Sequence, residues 1–413
     1  MNPARVRRPP TGMRLQALAQ RAVAEPPAPP REEDFTSRLR NPAVAARVGA
    51  WLGLCFAVCF LTGILSHGAQ DSAGWWPTRP VWAYRLNQGL HVTTGTAAVP
   101  LLLVKLWTVF PRLFARPPLG ALRPLLLHAA ERASIAALVA AAIFQLATGL
   151  ANAAQWYPWT FSFRATHYAV AWVAIGALLV HVAVKLPVIR QAMAEPVDSA
   201  ALDRPGSDGP PDPDDRGPTR RMLLRSTWVA AGVAVLATAG STVPVLRRVS
   251  VLGVRSGDGP LGIPVNKSAQ AAGITQAAVG AAYTLTLAYA GREVALTVDR
   301  LAELPQRTET LPIACVEGWS ASGEWTGVRV RDLLDLVEAP RGSAVAISSL
   351  QPSGPFRATE LPGDFADDPL TLLALRLNGE RLSLDHGYPC RLIAPNRPGV
   401  LQTKWVQRLE VRA

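Results

Sequence analysis

The chain has 413 residues, a formal net charge of +12, 49% hydrophobic residues and only 17% charged ones. That length allows two folded units, and the apolar residues are spread too unevenly for one soluble core. The basic residues sit at the ends of apolar segments and form no patch interleaved with aromatics, which excludes nucleic acid as a partner. The four cysteines form no disulfide framework.

Residues 1–43 are rich in Pro, Ala and Arg without a sustained period and are expected to be a disordered tail, with no cleavable signal peptide at its start. Five apolar segments follow at 44–66, 88–110, 122–150, 164–186 and 226–246. Each matches a helix long enough to cross about 30 Å of hydrocarbon. Cys55 and Cys59 share a face of the first span and read as small packing residues.

Arg5, Arg7, Arg8, Arg14, Arg38, Arg40 and Arg47 precede that span, and Arg112, Arg116 and Arg123 lie between the second and third. The intervening loops at 67–87 and 151–163 carry Trp75, Trp76, Trp82, Trp156, Tyr157 and Trp159 and few charges. The positive-inside rule therefore predicts a cytoplasmic N-terminus and an exported C-terminal half at the inner membrane. Residues 191–219, rich in Asp, Pro and Gly, read as a flexible cytoplasmic linker. The run Thr219-Arg220-Arg221-Met222-Leu223-Leu224-Arg225 then resembles an internal twin-arginine export signal ahead of the fifth span, so 220–246 forms one unit. Positive-inside anchoring by the same arginines is the alternative.

Residues 250–413 read as a mixed α+β domain. Strands are expected at 283–289, 293–298, 344–347, 391–395 and 405–411, with a turn at Gly291 and a helix at 330–337.

Histidines lie inside the spans, where ionisable groups are costly and usually functional. His167 and His181 are fourteen residues apart on the fourth span. At ~1.5 Å per residue that is about 21 Å along one face, a spacing suited to two stacked haems. His91 is expected to meet His167 at the outer level and His128 to meet His181 at the inner level, giving two haem b groups with paired axial imidazoles. His67 is an alternative outer ligand, a propionate contact or a quinone-pocket residue, and Arg164 a candidate partner for a haem propionate. The four-helix unit, 44–190, is similar to the cytochrome b subunits of respiratory enzymes, with the likeness carried by spans and histidines.

In the soluble half, Cys315-Val-Glu-Gly-Trp-Ser, Glu324-Trp-Thr-Gly-Val-Arg-Val-Arg-Asp-Leu-Leu334, His386-Gly-Tyr-Pro-Cys-Arg-Leu-Ile-Ala-Pro395 and Gln402-Thr-Lys-Trp405 occur in order. This set resembles the molybdopterin-binding domain of the sulfite oxidase superfamily over roughly 260–413. The resemblance implies that Cys315 ligates molybdenum and is catalytic. It also implies that His386, Arg391, Gln402, Thr403 and Lys404 hold the pterin or its phosphate, with Asn266, Lys267, Ser348 and Ser349 as further contacts. Two departures stand out. The chain ends just after the last cofactor strand, without the immunoglobulin-like dimerisation domain of sulfite oxidases, and Val316-Glu317-Gly318 follows the cysteine where that family has an Arg-containing stretch.

The expected whole is a four-helix cytochrome b-like membrane bundle with a fifth membrane helix, followed by an α+β molybdopterin domain. It would transfer an oxygen atom to or from a small substrate and exchange electrons with membrane quinone, with an additional redox partner left open. The direction, whether sulfite oxidation or S-oxide or N-oxide reduction, is left open by the residues, as is the oligomeric state. A non-enzymatic sensor or structural protein is the alternative from another class, and the retained Cys315 counts against it.

Overall fold

The computed structural model describes residues 30–71, 75–204, 207, 217–253 and 259–412. Residues 1–29 of the expected tail and most of 205–216 of the expected linker lie outside the described residues.

Five helices are long and apolar enough to cross a membrane: α1 (Pro42–Gln70), α2 (Ala83–Val109), α3 (Leu122–Ala153), α4 (Phe163–Ala194) and α5 (Arg220–Thr238). Asn41 caps α1 by accepting from Ala43 N, with Pro42 at the first helical position. Leu54, Leu61, Leu103, Leu179, Val180 and Val229 stay exposed on the helix surfaces, the pattern of a bundle whose outer solvent is lipid. In the bundle α1 packs on α2 and α4, α3 on α4, and α5 on α2.

The ends differ in detail from the sequence reading. Residues 31–40 pack on the bundle, with Phe35 against Phe110 and Phe114 and Arg40 over the ring of Trp107. Helix α4 runs on to Ala194, into the segment expected as linker. Arg220 is buried, donates to Arg38 O at 3.0 Å and Ser199 O at 2.8 Å, and pairs with Asp203. In this fold it is a structural tie.

The soluble half has two sheets. The first has the order β2-β1-β10-β5-β6, with β1 (Leu285–Tyr289), β2 (Arg292–Leu296), β5 (Val345–Ser349), β6 (Ala358–Leu361) and β10 (Val406–Val411). Strands β1 and β10 run parallel and the other neighbours antiparallel. The second joins β3 (Gln306–Ala314), β4 (Ser320–Arg329), β7 (Leu372–Leu377) and β8 (Glu380–Arg381), with β9 (Arg391–Ile393) pairing β7. Leu285, Leu287, Val328, Leu333, Ile347, Leu373, Leu392 and Leu409 form the main core, and Trp325 centres a second cluster with Leu311, Ile313 and Leu377.

The sequence reading missed β3 and β4, a long hairpin paired from Gln306 with Val328 to Ala314 with Ser320. The base of β3 is polar and exposed, so it shows little apolar alternation, and only its tip is buried. That tip is Cys315 to Trp319, closed by Cys315 N to Trp319 O at 2.8 Å and by Gly318 N to Cys315 O at 3.0 Å. Gly318 sits at φ +84°, where a Cβ would be strained.

The two halves meet through the α1–α2 loop. Trp76 Nε1 donates to Asn396 O at 2.8 Å, Asn396 Nδ2 to Pro77 O at 2.7 Å, and Tyr84 N to Asn396 Oδ1 at 2.6 Å. Arg79 makes a two-pronged pair with Asp368 at 2.8 and 3.0 Å, and Arg85 Nε donates to Ser320 Oγ at 2.7 Å. Asn396 is the hub because it is 2% exposed, so neither of its side-chain bonds has water as a substitute. Asn396→Ala is expected to cost about 1–3 kcal/mol for each buried group it leaves unpaired. Hydrogen exchange should show residues 76–85 and 394–397 opening together while α3 and α4 stay protected.

Candidate functional site

Two groups of chemically capable residues lie on either side of the β3–β4 hairpin tip.

The first is inside the bundle. The rings of His91 on α2 and His167 on α4 face each other with centroids 6.4 Å apart. They line one cavity with Cys59, Gly63, Gly95, Gly149, His67 and Tyr168, and its roof is Val316, Glu317 and Gly318 of the hairpin tip. Each imidazole is backed by a threonine: Thr62 Oγ1 is 3.0 Å from His91 Nδ1, and Thr148 Oγ1 is 3.0 Å from His167 Nδ1. His67 is placed differently. It stacks on Tyr168 with centroids 3.7 Å apart and contacts Asp71 through Nε2 at 3.0 Å, at the rim of the same cavity. Arg164 is also at the rim, reaching Gln70 and Asp71 and lying over Phe356 of the soluble half.

The register of α3 and α4 offsets the levels of His128 and His181, whose inner pairing was expected. Antiparallel α3 and α4 are registered by Thr148 opposite His167 and Glu131 opposite Lys185, which puts His128 about six residues beyond the level of His181, roughly 9 Å at a rise of ~1.5 Å. Depth measured from the ends of the apolar spans differs from this register because α4 extends well past its expected end. On α2 the residue fourteen positions after His91 is Lys105, matching the spacing of His181 after His167. Lys105 is among the charged groups that His181 senses, and its Nζ donates to Ala45 O at 2.9 Å.

The hairpin tip is held from below by three membrane-helix or post-helix side chains. Gln88 Nε2 donates to Cys315 O at 3.3 Å, Asn152 Nδ2 to Val316 O at 2.9 Å, and Thr242 Oγ1 to Gly318 O. A Cβ on Gly318 would stand 3.3 Å from Val92 Cγ2. Within the tip, the Cys315 thiol lies 3.6 Å from Glu317 Oε2, which also accepts from Trp319 Nε1 at 3.3 Å. Glu317 thus touches both the cysteine and the cavity.

The second group is His386, Arg391 and Lys404, all buried, with Lys404 close enough to Cys315 to sense its charge. Arg391 donates to His386 O at 3.2 Å and Gln402 O at 3.1 Å, while its Nε has no partner among the described residues. Lys404 Nζ donates to Lys267 O at 2.6 Å and Asp385 O at 2.9 Å, and His386 Nε2 to Pro260 O at 2.6 Å. Gly387, at φ +105°, lets the Lys404 and Arg391 side chains close around it, since a Cβ there would meet their Cβ atoms at 3.0 and 3.1 Å.

The cations among them, Arg391 and Lys404, hydrogen-bond carbonyls, and burial dominates the protonation of all three groups. It pulls Lys404 down to about 7 and Arg391 down to about 9, with Arg391 adding repulsion on Lys404. It pulls His386 down to about 4, again with help from Arg391. Buried positive groups with spare donor capacity fit an anionic ligand such as a phosphate. A buried guanidinium Nε without a partner among the described residues, and a buried lysine that senses the charge of Cys315, are donors that a phosphate-bearing metal cofactor can use, so the residues fit a molybdopterin. By contrast Cys390, hydrogen-bonded to Tyr283 in the core, is pushed up to about 12 by burial, which disfavours its thiolate.

The remaining expected contacts divide. Lys267 Nζ reaches Gln351 at 2.8 Å and lies 3.7 Å from where a Cβ on Gly354 would stand, and Asn266 Oδ1 caps Lys267 N at 2.9 Å. Ser349 Oγ donates to Lys404 O at 2.7 Å and so shapes the lysine's backbone, whereas Ser348 lies on the far face of the sheet beside Tyr283 and Gln407. Gln402 is a staple: its Oε1 accepts from Ala394 N at 2.8 Å and its Nε2 donates to Ala394 O at 2.9 Å. Thr403 Oγ1 pairs with Thr359 Oγ1 at 2.8 Å. Sequence reasoning missed Thr62, Gln88, Thr148, Asn152, Thr242 and Glu317. A Thr-Gly pair at 62–63 and again at 148–149 was the legible signal for two of them.

Fold and site together define a molybdopterin-dependent oxidoreductase domain fused to a multi-pass helical membrane domain. Residues 272–413 match the family profile described as the oxidoreductase molybdopterin binding domain. Among curated relatives, a protein described as the protein-methionine-sulfoxide reductase subunit YedZ1, from Azospira oryzae, is 33% identical over 28% of this chain and 44% of its own. The protein-methionine-sulfoxide reductase catalytic subunit MsrP of Gluconobacter oxydans is 32% identical over 29% of this chain and 43% of its own. The mitochondrial sulfite oxidase of Drosophila melanogaster is 29% identical over 31% of this chain and 27% of its own. The chain therefore spans less than half the length of each of these relatives.

Because the folded-state value of Lys404 lies below its ordinary one, the unfolded chain holds a proton that the cofactor-free fold gives up as pH rises through about 7. This group thus makes the cofactor-free fold more stable as pH rises from about 7 towards the ordinary lysine range, because the unfolded state binds more protons there. An anion that needs the charged lysine binds with the opposite trend. Phosphate affinity of the cofactor-free protein is expected to rise as pH falls through about 7, and calorimetry at pH 8 in buffers of different ionisation enthalpy should show proton uptake. Lys404→Met should abolish both effects.

Proposed function

We propose that the chain is a membrane-bound oxidoreductase that uses molybdopterin-held molybdenum to move an oxygen atom off a sulfoxide and draws the electrons from membrane quinol through haem b. The observation that supports it most is the shared hairpin tip: Cys315 is near enough to the buried Lys404 for the lysine to sense its charge, and the next three residues roof the cavity of His91 and His167.

Cys315 is the proposed molybdenum ligand, with Arg391, Lys404 and His386 holding the pterin phosphate end and Lys267 closing it. Bound there, the metal supplies oxygen-atom transfer, and haem b in the bundle supplies one-electron steps. The chain's own part is to hold these groups close and to keep water out. Trp325 under Arg391 and Trp405 under Lys404 give the cations apolar floors. In the net reaction a sulfoxide takes two electrons and two protons and leaves as sulfide and water, while quinol loses the same two electrons and two protons. The reductive direction is proposed because two relatives are named for protein-methionine-sulfoxide reduction, one as a subunit and one as a catalytic subunit.

His91 and His167 are the residues that would hold the haem nearest the soluble half. A second haem keeps His181 as a candidate ligand, with Lys105 at its level where His128 was expected. His67, Tyr168 and Arg164 at the rim suit a propionate or a quinone ring. Sidedness is proposed from charge alone, with the soluble half opposite the arginine-rich N-terminus.

Metal analysis and dithionite-reduced spectra of the full-length protein test this reading. About one molybdenum per chain is expected, together with a reduced b-type spectrum. Cys315→Ala should lose sulfoxide reduction while keeping the spectrum, and His91→Ala or His167→Ala should lose the outer haem while leaving molybdenum in place. Haem without molybdenum in matured protein would overturn the enzyme assignment.

A further inference from the structure

The two helix hairpins of the bundle carry the same device. On α1 and α3 a threonine is followed by glycine, and each threonine backs a histidine of the other helix in its hairpin. The glycines lie against the same rings, with a Cβ on Gly63 3.5 Å from His91 Cε1 and one on Gly149 3.8 Å from His167 Cε1. Three residues before each threonine, Cys59 Sγ and Gln145 Nε2 donate to the carbonyls of His91 and His167 at 3.5 and 3.0 Å. The repeat fixes both the backbone and the ring of each histidine.

A threonine hydroxyl has one proton to give. Thr62 Oγ1 lies 2.7 Å from Val58 O and Thr148 Oγ1 2.7 Å from Phe144 O, each one turn back on its own helix and each closer than the histidine. Such back-bonds are the usual resting place of a helical threonine proton. With the proton committed there, the hydroxyl faces the imidazole at 3.0 Å with a lone pair, so Nδ1 must be the protonated nitrogen. Nε2 of both rings is then left as the electron-pair donor in the shared cavity.

We propose that Thr62 and Thr148 are positioning residues that hold His91 and His167 as Nδ1-protonated imidazoles, so that both offer Nε2 to one ligand between them. The identity of that ligand, haem iron, rests on the function proposed above; the tautomer does not. An imidazole whose N–H is bonded to an acceptor is a stronger donor than one whose N–H is free, and such outer contacts also set ring orientation.

The test uses full-length protein in lipid nanodiscs, labelled with ¹⁵N-histidine and studied both haem-free and after haemin addition. In the haem-free protein both rings are expected as the Nδ1-protonated tautomer. That state should persist in Thr62→Ser and Thr148→Ser and be lost at His91 in Thr62→Val and at His167 in Thr148→Val. With haemin, the valine variants should bind roughly ten- to hundredfold more weakly and show a raised midpoint potential, and the serine variants should restore both. Nε2-protonated rings in the wild type, or valine variants that keep tautomer, affinity and potential, would overturn the proposal. A wild type with the expected tautomers that takes up no haemin would overturn the haem reading and leave the threonine assignment standing.

Discussion

Three hydrogen bonds to the backbone of one hairpin tip hold the molecule's functional order together. Gln88, Asn152 and Thr242 each take a carbonyl of the segment Cys315 to Gly318. Because these acceptors are main-chain groups, the membrane half places the tip without constraining its side chains. Val316 and Glu317 close the bundle cavity, and Cys315 remains beside the cations of the soluble half. Buried carbonyls left without partners are costly, so tip and bundle stabilise each other.

The surrounding seam makes this junction rigid. Trp76 and Arg79 from the loop between the first two spans, with Tyr84 and Arg85 from the first turn of α2, bond Asn396, Asp368 and Ser320 across the soluble domain. Ser320 begins β4 immediately after the tip, and Asn396 follows the strand that carries Arg391. The loop therefore braces both the hairpin and the cation cluster. A docked geometry of this kind would serve the electron exchange proposed above without a search for a partner.

Much of this was legible in the residues. The five spans follow from apolar length, and β1, β2, β5, β9 and β10 from alternation and turn chemistry. The facing of His91 and His167 follows from helix direction and depth. The inner level was misjudged because depth was counted from apolar boundaries, whereas the register is set by Thr148 with His167 and by Glu131 with Lys185. Strand β3 escaped because its exposed base lacks a hydrophobic face, and β4 because several of its buried positions are small or polar, Ser320, Ala321, Gly323 and Gly327. Gln402 read as a cofactor contact by position in a motif, yet its amide closes a backbone loop at Ala394. The side chains that join the halves, Gln88, Asn152 and Thr242, are ordinary polar residues whose partners lie far away in sequence, and no local pattern marks them.

The most direct test is flash-induced electron transfer in the full-length protein at graded concentrations, following reoxidation of the proposed bundle haem as the proposed molybdenum site is reduced. A single fast phase whose rate does not change on dilution, and which slows in Asn152→Leu without loss of either metal, is predicted. A rate proportional to protein concentration, or one indifferent to Asn152, would contradict the claim that the hairpin tip joins the two sites within one chain.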